Sequence, residues 1–279
     1  MFFFSKKTTI AASGVLQGAT DHHSHILPGV DDGVETMDEA LRILATYEAA
    51  GVKTLWLTPH IMEDIPNTPQ KLKARFLELK AAYTGNITLH LAAEYMIDNQ
   101  LRKLLQETNK LRPAFEGRWH EQSEVTEGSK TKNCPSSRGT SITSDAEGVE
   151  LLPIGSKGNH LLVETSYYNP PMRFRETLRQ IKSLGYHPLL AHPERYMYMD
   201  NDEYRELHDE GVRFQLNLPS LCGAYGNTVK KRALWLLKNG LYDAIGSDTH
   251  CEDAIEFITK CKLGKKEVEQ VSTLLQNEL

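Results

Sequence analysis

The stretch TDHHSHILPGVDDG, residues 20–33, holds three histidines and three aspartates. Such groups are costly to bury together unless a cation or a partner pairs them. His23 and His25 are two apart, the spacing that puts both imidazoles on one face of a strand. Asp32 follows in a turn that Gly33 makes tight. Further donors recur along the chain, each after an apolar run: His60, Glu94, Glu164, His192, and the pair Asp248 and His250. Imidazole nitrogen with carboxylate oxygen suits borderline divalent ions such as Mn²⁺, Fe²⁺ or Zn²⁺, and there are too many donors for a single ion. Two or three ions sharing a bridging carboxylate would use them all.

The elements that must carry these residues alternate between strand and helix. Strands are expected over 20–26, 52–60, 86–95, 159–165, 187–196, 212–220 and 242–250. Helices are expected over 36–50, 68–83, 98–108, 172–184, 201–210, 228–239 and 252–277, the last broken near Gly264. Thr36 with Glu39 three residues on reads as a capping box, and Gly51 as a stop. Thr68–Pro69 places a proline at the first helical position. Alternation of this kind predicts a parallel sheet, and the apolar strands fit one covered on both faces. Neither GxGxxG after the first strand nor GxxxxGK[ST] occurs, so the nucleotide fingerprints are missing. In a closed α/β barrel, strand carboxyl ends converge on one face. Taken singly, each donor is ordinary: DDG is a turn sequence, and a lone histidine is more often a packing residue than a ligand. Their recurrence at successive strand ends is what argues for a shared site. His22 alternates to the other face; His90 and His187 read as packing residues, and Asp31 as part of the turn.

The net charge of −5 gives no basic face for nucleic acid. No apolar run is long enough to span a bilayer. Residues 1–18, beginning MFFFSKK, are expected to be a mobile tail, and 19–279 a single domain. Residues 113–150 are rich in Ser, Thr, Gly and Glu, which predicts an unpacked insertion. Cys134, Cys222, Cys251 and Cys261 form no CxxC pair, so free thiols in a reducing cytoplasm are expected. A cysteine-based tyrosine phosphatase would need an arginine six positions after its nucleophile. Those positions hold Thr140, Thr228, Phe257 and Glu267.

The segments DHHSHILPGVDDG, LTPHIM, AAEY, LLVET, LLAHPERY, FQLNLPSLCGAYG and IGSDTH, in this order, resemble the PHP (polymerase and histidinol phosphatase) superfamily. Within it they are most similar to the bacterial manganese-dependent protein-tyrosine phosphatases encoded with capsule and exopolysaccharide genes. The resemblance implies a distorted (β/α)7 TIM-like barrel with its metal site at the strand carboxyl ends. It implies one Mn²⁺ on His23, His25, Glu94 and Asp248, a second on Glu94, Glu164 and His192, and a third on Asp32, His60 and His250. It places Glu94, Asp248 and Arg195 at the reaction, with Arg195 gripping phosphate. The second arginine that relatives often carry after the last histidine is missing from HCEDAIEF.

The implied activity is hydrolysis of phosphotyrosine on a protein, namely the autophosphorylated tyrosine kinase of capsule synthesis. The protein would then work in the cytoplasm, held near the inner membrane face by that partner. Two alternatives remain at this level: a small-molecule phosphomonoesterase of the histidinol phosphate type, and a weakly active metal-binding regulator of the kinase.

Overall fold

The computed structural model describes residues 7–121, 150–277 and 279. In chain order the elements are β1 (Thr8–Thr9), α1 (Ile10–Ser13), β2 (Thr20–Asp21), α2 (Met37–Ala50), β3 (Thr54–Leu57), β4 (His60–Ile61) and α3 (Pro69–Ala82). Next come β5 (Thr88–Leu91), β6 (Glu94–Met96), α4 (Asn99–Glu121), β7 (His160–Glu164), α5 (Phe174–Ser183) and β8 (His187–Ala191). After a 3₁₀ turn at Pro193–Arg195 follow α6 (Asn201–Asp209), β9 (Arg213–Asn217), α7 (Leu218–Cys222), α8 (Gly226–Lys238) and β10 (Ala244–Gly246). The chain closes with α9 (Glu252–Lys260), β11 (Lys262–Leu263) and α10 (Lys265–Gln276).

Local chemistry sets the helix ends. The Thr36 hydroxyl accepts from the Glu39 amide and that of Thr68 from Lys71, each satisfying a free first-turn donor. Pro69 occupies the first turn of α3, where its missing N–H is not needed.

The strands form a curled parallel sheet. β2, β3 and β5 pair in one run, and β4, β6, β7, β8, β9 and β10 in another. β4 continues the course of β3 across Pro59, and β6 that of β5 across Ala92 and Ala93, so the two runs share strands interrupted midway. Backbone bonds also join the end of β2 to the end of β10, the two outer strands of these runs. His22 N donates to Ile245 O (3.1 Å), Asp248 N to His23 O (2.8 Å) and His25 N to Thr249 O (2.9 Å).

Side chains alternate across the sheet between two apolar clusters. Leu161, Val163, Leu190, Phe214 and Ile245 enter the larger one beneath the helices. Leu162, Leu189, Ala191 and Ala244 form a smaller one with Ala92 and Ile154. Glu94, Glu164 and Asp248 share strand parity with the smaller cluster, which puts the carboxylates on its side of the sheet.

Three expectations are corrected. Residues 7–18 are not a loose tail: β1 pairs antiparallel with β11, and Ile10, Val15 and Leu16 are buried. An apolar docking surface on the chain's last elements outweighs the general tendency of termini to fray; residues 1–6 lie outside the described residues. The segment 113–150 begins as helix, because α4 runs on to Glu121 rather than stopping near 108; residues 122–149 lie outside the described residues. The thiols are not all free. Cys222, at the end of α7, is bonded to Cys261, just after α9, with Cα atoms 5.4 Å apart. The packing of these ends against each other brings together cysteines that are distant in sequence, at a separation a disulfide can span. Cys251 is free and exposed, and Cys134 lies outside the described residues.

Candidate metal centre

All nine predicted donors converge at the carboxyl ends of the strands. His60 is the direct register partner of Glu94, and Glu164 stands opposite Met96, two residues beyond the partner of Glu94. Glu94 is at the centre. Its Oε2 is 3.2 Å from His23 Nε2, 3.3 Å from His25 Nε2 and 3.3 Å from His60 Nδ1. Its Oε1 is 3.1 Å from His192 Nε2. Asp248 Oδ1 lies 3.4 Å from His23 Nε2 and 3.5 Å from His25 Nε2. Asp32 Oδ1 lies 3.4 Å from His60 Nε2 and 3.5 Å from His250 Nε2.

Among the described residues three groups have donor atoms close enough to surround an ion: His23, His25 and Glu94; His60, Glu94 and Glu164; and His25, Asp32, His60 and His250. The grouping differs from the expected one at three points: Asp248 is not in the first group, His60 joins Glu94 and Glu164 where His192 was expected, and His25 joins Asp32, His60 and His250. His192 Nε2 is 3.8 Å from Glu164 Oε2, whereas His60 Nδ1 is 3.2 Å from Glu164 Oε1.

The backbone bends to bring two of the donors in. His192 (φ 34°) and Asp248 (φ 53°) are in the left-handed region, which costs a non-glycine residue of order 1–3 kcal/mol. Simple alternation after Ala191, which faces the smaller cluster, would send His192 to the opposite face. The left-handed turn returns it to the donors.

Two supporting residues were not found by sequence reasoning. Asp31, read there as a turn residue, accepts from His25 Nδ1 at 2.8 Å and from the His60 amide at 3.0 Å, and its side chain is fully buried. It fixes the His25 ring so that Nε2 faces the cluster. Gln215 does the same for His23, with Oε1 2.9 Å from His23 Nδ1. Its signal was faint: an amide between Phe214 and Leu216, at the parity of the inward face.

Electrostatics fit a cationic occupant. Burial alone would raise the Glu94 carboxyl, but His23, His192 and His25 outweigh it and hold it well below the usual carboxylate range. Glu164 is raised well above its ordinary value by burial and by the charges of Glu94 and Asp248. His60 is pushed down to about 4 by burial and by His25. Four carboxylates sit in this pocket, among them a buried pair that repel each other, facing five imidazoles. The donor chemistry and spacing therefore fit a small set of divalent ions.

Arg195 borders the cluster. Its Nη1 donates to Asp248 Oδ2 at 2.9 Å. Asn217 Nδ2 donates to the same oxygen at 2.8 Å. The guanidinium carbon is 4.3 Å from the ring centre of Tyr167 and 4.3 Å from that of Tyr225. Beyond it opens a cleft of about 440 Å³. His22, read as structural, is buried with Nδ1 near Ile245 O, and His90 stacks on Trp56.

The chain was compared with known proteins. It is 26% identical over 236 residues to a putative tyrosine-protein phosphatase CapC of Staphylococcus aureus, covering 82% of this chain and 76% of the relative. It is 27% identical over 246 residues to the tyrosine-protein phosphatase CpsB of Streptococcus pneumoniae, covering 84% of each. Among solved structures, the fold matches one from work on YwqE of Bacillus subtilis and CpsB of Streptococcus pneumoniae, described as unique metal-dependent tyrosine phosphatases. That match has a TM-score of 0.64 and 19% identity, over 93% of this chain and 95% of the other. The family model for capsular polysaccharide synthesis, CpsB/CapC, matches residues 19–115 and 140–272, so the chain belongs to that family.

Proposed function

We propose that this protein is a metal-dependent protein-tyrosine phosphatase, built on a distorted (β/α)7 barrel and loaded with two or three Mn²⁺ ions. His23, His25, Asp32, His60, Glu94, Glu164, His192, Asp248 and His250 would hold the ions. The observation that carries this reading is the carboxylate of Glu94, met by four imidazoles from three different strand ends. Family membership and the names of the relatives support it. For the barrel, support comes from seven strand positions and from the backbone bonds between 22–25 and 245–249.

Bound divalent ions neutralise phosphoryl oxygens and make water a usable nucleophile near neutral pH. The chain's own residues do the rest. Arg195 offers a planar fork to the non-bridging phosphate oxygens. Asp248, which also accepts from Asn217 Nδ2, holds that fork at the edge of the cluster. The aryl leaving group departs as a phenolate of pKa about 10 and so needs less protonation than an alkoxide.

The protein substrate we propose is an autophosphorylated tyrosine kinase of capsule or exopolysaccharide synthesis, and the location the cytoplasm, near the inner membrane face through that partner. None of the described helices is long and apolar enough to cross a membrane.

The test is to strip the protein of metal, reload it with Mn²⁺ and measure turnover of p-nitrophenyl phosphate and a phosphotyrosyl peptide. Activity should require the metal, and Arg195→Lys should raise KM by roughly tenfold, because lysine lacks the fork. Metal-independent turnover, or a preference for histidinol phosphate over the peptide, would contradict the proposal.

A further inference from the structure

The cleft beside Arg195 is not explained by the metal cluster. It is walled by Tyr167, Tyr168, Met197, Tyr225 and the start of α8, and Arg195 forms its inner end. Tyr168 is 75% exposed and Met197 44%, large apolar surfaces left open at the mouth of a polar centre.

The arrangement around Arg195 is specific. Tyr167 and Tyr225 both pack on it, each ring centre 4.3 Å from the guanidinium carbon. A guanidinium held against aromatic rings presents its N–H edge to a ligand. One edge position is committed to Asp248. Among the described residues no other hydrogen bond from the Arg195 side chain is formed. The remaining N–H groups are therefore left for a ligand in the guanidinium plane. Tyr225 is itself fixed from behind, because its hydroxyl accepts from Asn217 Nδ2 at 3.3 Å, the amide that also donates to Asp248. Asp248, Asn217, Tyr225 and Arg195 thus form a closed loop joining the donor cluster to the cleft.

Resting on the phosphatase reading above, we propose that this cleft is the leaving-group subsite. It takes the aromatic ring of a phosphotyrosyl residue and the peptide around it, and it is the source of selectivity for aryl over alkyl phosphates. Tyr167 and Tyr225 act as positioning residues that force the phosphate into the guanidinium plane. The ester oxygen then points away from the cluster and into the cleft. There the substrate ring meets Tyr168 and Met197, an aromatic ring and a polarisable thioether suited to a flat apolar partner. An alkyl phosphate would fill little of this space. Charge agrees with the assignment, since the inner end of the cleft is cationic and the mouth apolar, the order in which a phosphotyrosine presents its own phosphate and ring.

The experiment uses the metal-loaded protein and two peptides of one sequence, carrying either phosphotyrosine or phosphoserine. Binding of the same peptide with a non-hydrolysable phosphonate analogue of phosphotyrosine is measured by calorimetry. Tyr225→Ala should lower kcat/KM for the phosphotyrosyl peptide by about tenfold, and Tyr225→Phe, which keeps the stacked ring, should recover most of it. Tyr168→Ala, at an exposed position where truncation leaves the core intact, should weaken phosphonate binding by about fivefold and shrink the preference for tyrosyl over seryl peptide by a similar factor. Equal losses on both peptides, or an unchanged preference in Tyr168→Ala, would overturn the subsite. A wild-type protein that hydrolyses neither peptide overturns the phosphatase reading itself, a result distinct from an active enzyme indifferent to these substitutions.

Discussion

Asp31 accepts a hydrogen bond from His25 Nδ1 at 2.8 Å, so a carboxylate outside the predicted donor set dictates which nitrogen of a central histidine faces the cluster. Burial alone would lower the His25 imidazole, but Asp31, with Glu94 adding to the lift, raises it well above its ordinary pKa. Removing such an outer carboxylate typically lowers metal affinity about 10–100-fold. Asp31→Ala should show a loss of that size in a Mn²⁺ competition titration, with all nine donors still present. Unchanged affinity would mean that the His25 ring is held by packing alone.

Gly246 occupies a position where no side chain fits. A Cβ there would overlap the His23 Cβ and lie 2.9 Å from Gln215 Nε2. Because His23 and its orienting amide would both have to move, Gly246→Ala should destabilise the fold by about 1–3 kcal/mol. It should also lower metal affinity at the His23 position. Denaturant melts with a metal titration on the same sample check both effects. A variant as stable and as metal-avid as the wild type would show that the strand end can relax without cost.

Docking of the amino-terminal segment makes a stability prediction of its own. Ile10 is fully buried and its amide donates to Cys261 O at 2.8 Å. Ile10→Ala should cost about 2–5 kcal/mol by denaturant unfolding, the usual range for an emptied aliphatic site. A cost below about 0.5 kcal/mol, typical of surface substitutions, would mean that residues 7–18 contribute nothing to the core.

His160 gives a pH signature away from the metal centre. Burial, with the charges of His187, Arg213 and Lys157, pushes its imidazole down from 6.5 to about 4. Above pH 6.5 both the folded and the unfolded chain carry it neutral. Between 6.5 and 4 the unfolded chain takes up a proton that the folded one refuses, so stability falls as the pH drops through that window. Thermal melts of metal-free His160→Gln should therefore lose less stability than the wild type between neutral pH and about pH 4.5. Parallel curves would remove His160 from the balance.

The sequence made the donors legible because their signals are local. Each follows an apolar run, and HxH declares its own spacing. Thr36, Thr68 and Pro69 mark helix starts through contacts within one turn. What escaped depends on contacts between distant segments. Asp31 and Asp32 are neighbours in one turn, and only the folded positions of His25 and His60 decide which is buried as a support and which stays at the open edge. Gln215 looks like any polar residue until β9 lies beside His23. The Cys222–Cys261 pair and the β1–β11 ladder both form against the end of α9, a surface that no local pattern announces. The left-handed backbone at His192 breaks the alternation that sequence reasoning relies on.

Counting metal is the most direct test of the shared centre. Protein reloaded with Mn²⁺ and freed of excess should hold about two or three ions per chain by elemental analysis, as the surplus of N and O donors over one ion's needs requires. Glu94→Gln, which removes the central charge, should hold fewer ions and lose phosphatase activity with them. A wild-type chain holding less than about one ion, or a Glu94→Gln chain holding the full complement, would contradict the account.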